Sequence, residues 1–290
     1  MAAINNGDTV HLVCLGNVPG PTFLDGRTGD GSVGLAPETQ DQFTGTRWRV
    51  LDDGAGNLAL RCLGDADGVR MLDGRTGDGT VGLAPAIDGI FTGAHWQLIP
   101  LDSDTFALKC LGVIDGPRML DGRTGDGTVG LAPATDGHFT GTHWRAEPVA
   151  VPDVVNFDFS SITFPTGTPV GGFAHVTLSS SGNYRFTGHF HDSGFLDQNA
   201  AIAVGVKDSA GIMWEFGHAS HLAGTVGSGS RDDDWDISGN DPNIAAHWPD
   251  LAIGATARQQ STTDADTVSA FNDLLAVAGA VLGVVQVAIA

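Results

Sequence analysis

One phrase is written three times in this chain. Residues 14–48 read CLGNVPGPTFLDGRTGDGSVGLAPETQDQFTGTRW, residues 62–96 read CLGDADGVRMLDGRTGDGTVGLAPAIDGIFTGAHW, and residues 110–144 read CLGVIDGPRMLDGRTGDGTVGLAPATDGHFTGTHW. The second and third copies agree at 29 of 35 positions, and the offset is 48 residues both times, with no insertion or deletion. A fixed period of this size marks one supersecondary unit that cannot bury its own apolar face and is repeated until neighbours close a shared core. The copies end near residue 149 of 290, so the chain reads as two domains, 1–149 and 150–290.

Inside each copy the residues alternate as in a half-buried strand. In the second, Leu58, Leu60 and Cys62 fall on one face, and Ala59, Arg61 and Leu63 on the other. RMLDGRT follows, then Gly77, Asp78 and Gly79, then TVGLAP. Two short runs about a corner that tolerates positive φ predict a hairpin, and Pro85 stops its second arm. FTGAHWQLIP supplies a fourth strand, so three copies predict twelve. Propeller blades have similar repeat lengths, but propellers typically close with at least four blades. Three copies favour another closure.

The exact offsets, the LDGRTGDGTVGLAP hairpin and the closing Trp48, Trp96 and Trp144 resemble the β-trefoil lectin family, most nearly its ricin-B and fascin-like branch. The resemblance covers residues 5–149, about half the chain. It implies three four-stranded units forming a barrel capped by hairpins, and it speaks to fold more than to activity. Ricin-B-type repeats carry Gln-x-Trp, where these copies have Thr46, Ala94 and Thr142 two residues before the tryptophan. The expected fold class is all-β: a threefold β-trefoil followed by a β-sandwich-like domain with a C-terminal apolar segment.

The repeated DGRTGDG is the best functional candidate. Asp25 and Arg27, Asp73 and Arg75, and Asp121 and Arg123 stand two apart on a strand, so each pair projects from the face opposite Leu24, Leu72 or Leu120. Carboxylate and guanidinium groups accept and donate the paired hydrogen bonds that vicinal sugar hydroxyls require. The competing reading is an ion pair that orders the hairpin. Asp30, Asp78 and Asp126, each between glycines, complete the candidate set and read first as turn formers. His95, His138 and His143 are candidate pocket walls, with Gln42 and Arg47 standing in the first copy at the positions of His138 and His143. The three tryptophans, with Phe43, Phe91 and Phe139, are assigned to the threefold core, which leaves the sites without an aromatic face. Cys14, Cys62 and Cys110 recur once per copy and cannot all pair, so they read as small buried hydrophobes.

Charge excludes some partners. Fourteen basic against 34 acidic residues give a net charge of −20, divided as 10 against 19 in residues 1–150 and 4 against 15 in residues 151–290. With no basic patch, nucleic acid is not an expected partner. MAAINNGDTV has neither the charged nor the apolar region of a secretion signal, so the expected location is cytoplasmic as written, with a processed form released to the outside as the alternative. There is no nucleophile elbow, phosphate loop or paired-carboxylate signature, so no catalytic residue and no cofactor are assigned.

Beyond the linker PVAVPDVV, the runs NFDFSSITF, AHVTLSS, NYRFTGHFH, AAIAVGVKD and IMWEFGHAS predict alternating strands of a β-sandwich. Tyr184, Phe186 and Phe190 share one face, and Arg185, Thr187, His189 and His191 the other. His189 and His191 with His218, His221 and Asp192 would make a zinc site only if their strands were adjacent, and the histidines are read instead as polar-face residues, so no metal is assigned. Asp232, Asp234 and Asp236 alternate without an EF-hand's glycine and closing glutamate, and read as a solvated acidic edge. Thr263 to Asp266 reads as a helix cap, and Leu274 onward is apolar on all sides except Gln286, which predicts a buried helix or strand pair, with membrane insertion as the lesser alternative. Gly279 and Gly283 have a small-xxx-small spacing. The whole reads as a multivalent carbohydrate-binding protein, a lectin for glycans or glycoconjugates, with possible homo-oligomerisation through residues 150–290. A lectin-targeted membrane-active protein and a protein-interaction scaffold are the alternatives.

Overall fold

The computed structural model describes residues 4–40, 42–64, 68–162, 164–263, 272–273 and 283–289. It divides into two compact units, Met1–Ala150 and Val151–Ala290. The architecture is all-β: among the described residues the helical parts are two five-residue segments, three 3-10 turns and residues 272–273.

Among its described residues the first unit has twelve strands: β1 (Thr9–Cys14), β2 (Phe23–Arg27), β3 (Ser32–Ala36), β4 (Trp48–Asp52), β5 (Leu58–Cys62), β6 (Met71–Arg75), β7 (Thr80–Ala84), β8 (Trp96–Pro100), β9 (Phe106–Cys110), β10 (Met119–Arg123), β11 (Thr128–Ala132) and β12 (Trp144–Pro148). Six of them close a ring through antiparallel pairs: β1 with β4, β4 with β5, β5 with β8, β8 with β9, β9 with β12, and β12 with β1. Val10, Leu58 and Phe106 face Trp48, Trp96 and Trp144 across the ring, the 48-residue period in space. The other strands form hairpins β2–β3, β6–β7 and β10–β11, whose second arms pair cyclically. Leu35, Leu83 and Leu131 donate backbone N–H bonds of 2.8 Å to the carbonyls of Gly127, Gly31 and Gly79. Those glycines hold φ of 76°, 75° and 75°, a region other residues enter only with strain. The predicted glycine corner therefore makes the hairpin and also links it to the next.

Trp48, Trp96 and Trp144 are fully buried, and their Nε1–H groups donate to the carbonyls of Leu24, Leu72 and Leu120 at 2.8, 2.9 and 2.9 Å. The cysteines are free and buried, and each thiol also donates to backbone. Cys62 Sγ lies 3.2 Å from the Gly26 carbonyl and 3.4 Å from that of Gly45, and burial pushes its pKa up to about 12. A Cβ on Gly26 would sit 2.8 Å from that sulfur and 2.9 Å from the Trp48 ring, so the central glycine of Asp-Gly-Arg is a packing requirement.

Phe43, Phe91 and Phe139 correct the expected core. Each is only half-buried, at the entrance of a 3-10 turn (Thr44–Thr46, Thr92–Ala94, Thr140–Thr142), and lies outside the tryptophan cluster. Phe91 rests on a satellite of Ala59, Met71, Ala84 and Ala94. The reason is local: the 3-10 turn separates each phenylalanine from the strand that the tryptophan opens, so the two rings do not share a strand face.

The second unit contains β13 (Val154–Phe159), β14 (Val170–Ser179), β15 (Asn183–Asp192), β16 (Gln198–Lys207), β17 (Ile212–Leu222), β18 (Asp232–Asn240), helices α1 (Pro242–Ala246) and α2 (Trp248–Ala252), β19 (Thr256–Thr262) and β20 (Gly283–Ile289). The strands make two four-stranded sheets, ordered β13-β14-β15-β18 and β19-β16-β17-β20. Val176, Phe186 and Phe190 of one sheet and Val204, Trp214 and Phe216 of the other share one apolar core. The Phe186 and Phe216 rings stand 6.0 Å apart across it. The acidic run is the edge strand β18, with Trp235 turned inward at 6% exposure and Asp232, Asp234 and Asp236 outward.

Much of the apolar C-terminal run expected to form a buried helix or strand pair, residues 264–271 and 274–282, lies outside the described residues. Its last part takes the strand form: Gly283–Ile289 runs parallel to β17. Val284, Val285 and Val287 are β-branched and meet an open sheet edge, which favours extension. No helix among the described residues is long and apolar enough to cross a membrane.

Candidate functional site

The hairpins and the 3-10 turns together shape open depressions on the first unit. One, of about 460 Å³, is lined by Asp25, Arg27, Asp30, Gln42, Phe43 and Thr44, with Gly64 from the second copy. A second, of about 380 Å³, is lined by Asp121, Arg123, Asp126, His138 and Thr140, with Asn17 and Val18 from the first copy. Ring closure thus completes the third copy's depression with the beginning of the first, and Thr140 Oγ1 donates to Asn17 Oδ1 at 3.0 Å. The same junction exists in the middle copy, where Val113 N donates to Thr92 Oγ1 at 3.4 Å and Ile114 lies over Gly77. Volumes of this order suit a small ligand.

Asp25 is buried at 7% exposure, while the Arg27 side chain is 59% exposed. Arg27 Nε lies 3.8 Å from Asp25 Oδ2, and the matching distances are 3.9 Å for Arg75 to Asp73 and 3.8 Å for Arg123 to Asp121. All three exceed hydrogen-bond length, so the guanidinium attracts the carboxylate without engaging it as a fork. Burial pushes the carboxyls of Asp25, Asp73 and Asp121 above their usual range, against the pull of the neighbouring arginine. Each floor is therefore a carboxylate held partly away from water and short of donors, beside a cation that reaches into solvent. Neutral hydroxyl groups fit that need, since they donate to the carboxylate and accept from the guanidinium.

Asp30 and Asp126 line the two depressions, and these two and Asp78 all take the turn role. Asp30 Oδ1 accepts from Ser32 N and Oγ at 2.8 and 2.7 Å, and Asp78 and Asp126 hold Thr80 and Thr128 in the same way. These bonds keep the three carboxyls below the usual range. One acceptor oxygen of each is thereby committed to the turn.

His143 does not line the third copy's depression, and its counterpart Arg47 does not line the first copy's. His95 Nδ1 donates to Asp53 Oδ2 at 2.8 Å, and His143 Nε2 donates to the Thr135 carbonyl at 2.9 Å. Both precede a buried tryptophan by one residue, and strand alternation turns them to the opposite side. His138 does line the third copy's depression. It belongs to a position the repeats vary, Gln42, Ile90 and His138, and in the first copy Phe43, next to Gln42, supplies an aromatic wall in place of the expected core position. The signal was available in the alignment of the copies, because rim positions differ where floor positions do not. No protein-family model matches this chain, and no curated protein matches it.

In the second unit the histidines divide. His189 and His191 share the outer face of β15, whereas His218 pairs with Asp233 at 2.6 Å against the Trp235 ring, and His221 bonds Asn199 at 2.9 Å. Asp192 is fully buried and caps Gly194 N at 2.6 Å. The four imidazoles therefore do not form one cluster, and Asp192 is not beside the outer pair.

Proposed function

We propose that the chain is a multivalent, non-enzymatic carbohydrate-binding protein whose first unit is a β-trefoil of the ricin-B type. One observation carries this reading: a partly buried carboxylate and a solvent-reaching guanidinium, 3.8 to 3.9 Å apart, stand at the same place in all three copies. Paired donors and acceptors of this kind match vicinal hydroxyls, and Phe43 offers an apolar face for sugar C–H groups. Glycans and glycoconjugates are the ligands of this reading, and three alike sites raise avidity toward a surface that displays many of them. A glycan array probed with the full chain and with a variant carrying Asp25→Asn, Asp73→Asn and Asp121→Asn tests it. Binding by the parent and loss in the folded variant is the expected result. Equal binding by both sinks the site, and no binding by either sinks the sugar.

A second reading, a lectin-targeted membrane-active protein, is favoured by Phe195, Leu196 and Val226. They are 65%, 65% and 60% exposed on two loops joined by a Val226 N–H bond of 3.3 Å to the Phe195 carbonyl. Leakage from glycolipid liposomes that disappears in a Phe195→Ser, Leu196→Ser variant would favour it over simple binding.

A further inference from the structure

Pairing of β15 with β18 sets His189 opposite Asp234, His191 opposite Asp232 and Thr187 opposite Asp236, and Arg185, one pair further along, reaches Asp236 from the position facing Ser238. The three positions are not alike. Arg185 grips Asp236 as a fork, Nε to Oδ1 at 2.8 Å and Nη2 to Oδ2 at 2.6 Å, which leaves that carboxylate committed. At the other end one oxygen, Asp232 Oδ1, meets two imidazoles: His191 Nδ1 at 2.7 Å and His189 Nε2 at 3.6 Å. The second distance is too long for a hydrogen bond, yet it is close to the roughly 3.3 Å that separates two ligands bound tetrahedrally at zinc bond lengths. Donor atoms of His189, His191 and Asp232 all fall within 4.8 Å of one another.

Behind this group, His189 Nδ1 donates to Asp234 Oδ1 at 2.9 Å, so Nε2 is the ring nitrogen left to bind. Metal-binding histidines are oriented in this way by a carboxylate on their second nitrogen. The Phe173 ring, stacked on His189 at 5.7 Å and 24°, holds the imidazole plane from the other side.

We propose that His189, His191 and Asp232 bind a divalent transition-metal ion of the zinc class on the outer face of the β15–β18 pair, with Asp234 as the positioning residue. Two imidazoles and one carboxylate suit such an ion and disfavour calcium or magnesium, which take oxygen ligands. Three protein ligands on an open strand face leave a fourth position for water or a ligand atom. The proton shared by His191 and Asp232 leaves to solvent as the ion takes its place. The ion then joins β18, an edge strand, to its neighbour.

The test is isothermal titration of zinc chloride into the full chain, with calcium chloride in parallel, on the parent and on His189→Ala, His191→Ala, Asp234→Asn and His221→Ala. One zinc per chain is expected on the parent and on His221→Ala, with no calcium heat. His189→Ala and His191→Ala should each lose this binding, and Asp234→Asn should bind about 10- to 100-fold more weakly while keeping every ligand. All these side chains are solvent-facing, and circular dichroism confirms that the variants fold. Absence of saturable zinc binding below millimolar concentration, or parental affinity in either histidine variant, overturns the site. Parental affinity in Asp234→Asn alone overturns the positioning role.

Discussion

Replacing Asp73 by asparagine separates the two roles open to the repeated Asp-Arg pair. The substitution keeps shape and removes charge. The Asp73 side chain is 13% exposed, Arg75 Nε is 3.9 Å away, and burial has already pushed the carboxyl above its usual range. Folding thus disfavours the ionised form at this position, so a neutral amide should leave the melting temperature unchanged or slightly raised. Binding should respond in the other direction. A hydrogen bond to a charged acceptor contributes about 1.5 to 3 kcal/mol, so losing one lowers affinity at that copy roughly 10- to 150-fold. Calorimetry with a glycan chosen from the array should report one site fewer of the three, and the triple variant should show none. The reasoning is refuted if the triple variant binds like the parent. It is equally refuted if Asp73→Asn alone destabilises the first unit by more than about 2 kcal/mol, above the about 0–1 kcal/mol expected of an exposed pair, because the pair would then be structural.

Trp96→Ala removes a fully buried ring and its 2.9 Å bond to the Leu72 carbonyl, and should cost about 3 to 5 kcal/mol in denaturant unfolding; an unchanged midpoint would contradict its place in the core. Gly26→Ala puts a methyl 2.8 Å from Cys62 Sγ and 2.9 Å from the Trp48 ring, and should cost about 1 to 3 kcal/mol from overpacking, read the same way. Lowering the pH should weaken glycan binding before it unfolds the first unit. Asp25, Asp73 and Asp121 have raised carboxyl pKa values in the fold, so they take up protons above the ordinary value of about 3.9. Protonation relieves a buried charge and so does not itself destabilise, while it removes the acceptor a hydroxyl needs. Calorimetry and circular dichroism across the same pH series check the order of the two losses.

Much of the first unit was legible as sequence because its determinants are local. Alternation along Leu58, Leu60 and Cys62, the glycine corner and the stop at Pro85 each act within a few residues, and the 48-residue period multiplies them by three. Five of the second unit's strands were legible for the same reason. The apolar C-terminal run was ambiguous, since a continuous apolar stretch fits a buried helix and a buried strand alike. Gly283–Ile289 extends because β17 offers an unfilled edge, which is a property of the sheet.

By itself, the sequence determined the repeat, its strands, the Gly-Asp-Gly corner, and the candidate Asp and Arg of each copy. Tertiary structure decided which side chains meet. Closure of the ring brings Asn17 beside Thr140, 123 residues away, and moves Phe43 from the expected core to a pocket wall. Strand alternation, combined with what each face packs against, turns His143 away from the third copy's depression and gives His95 the Asp53 carboxylate as its partner. Cross-strand register sets His189 and His191 opposite Asp234 and Asp232 and leaves His218 and His221 with other partners. Spacing along a chain constrains neighbours within a turn or a strand, whereas these contacts depend on how distant strands are paired.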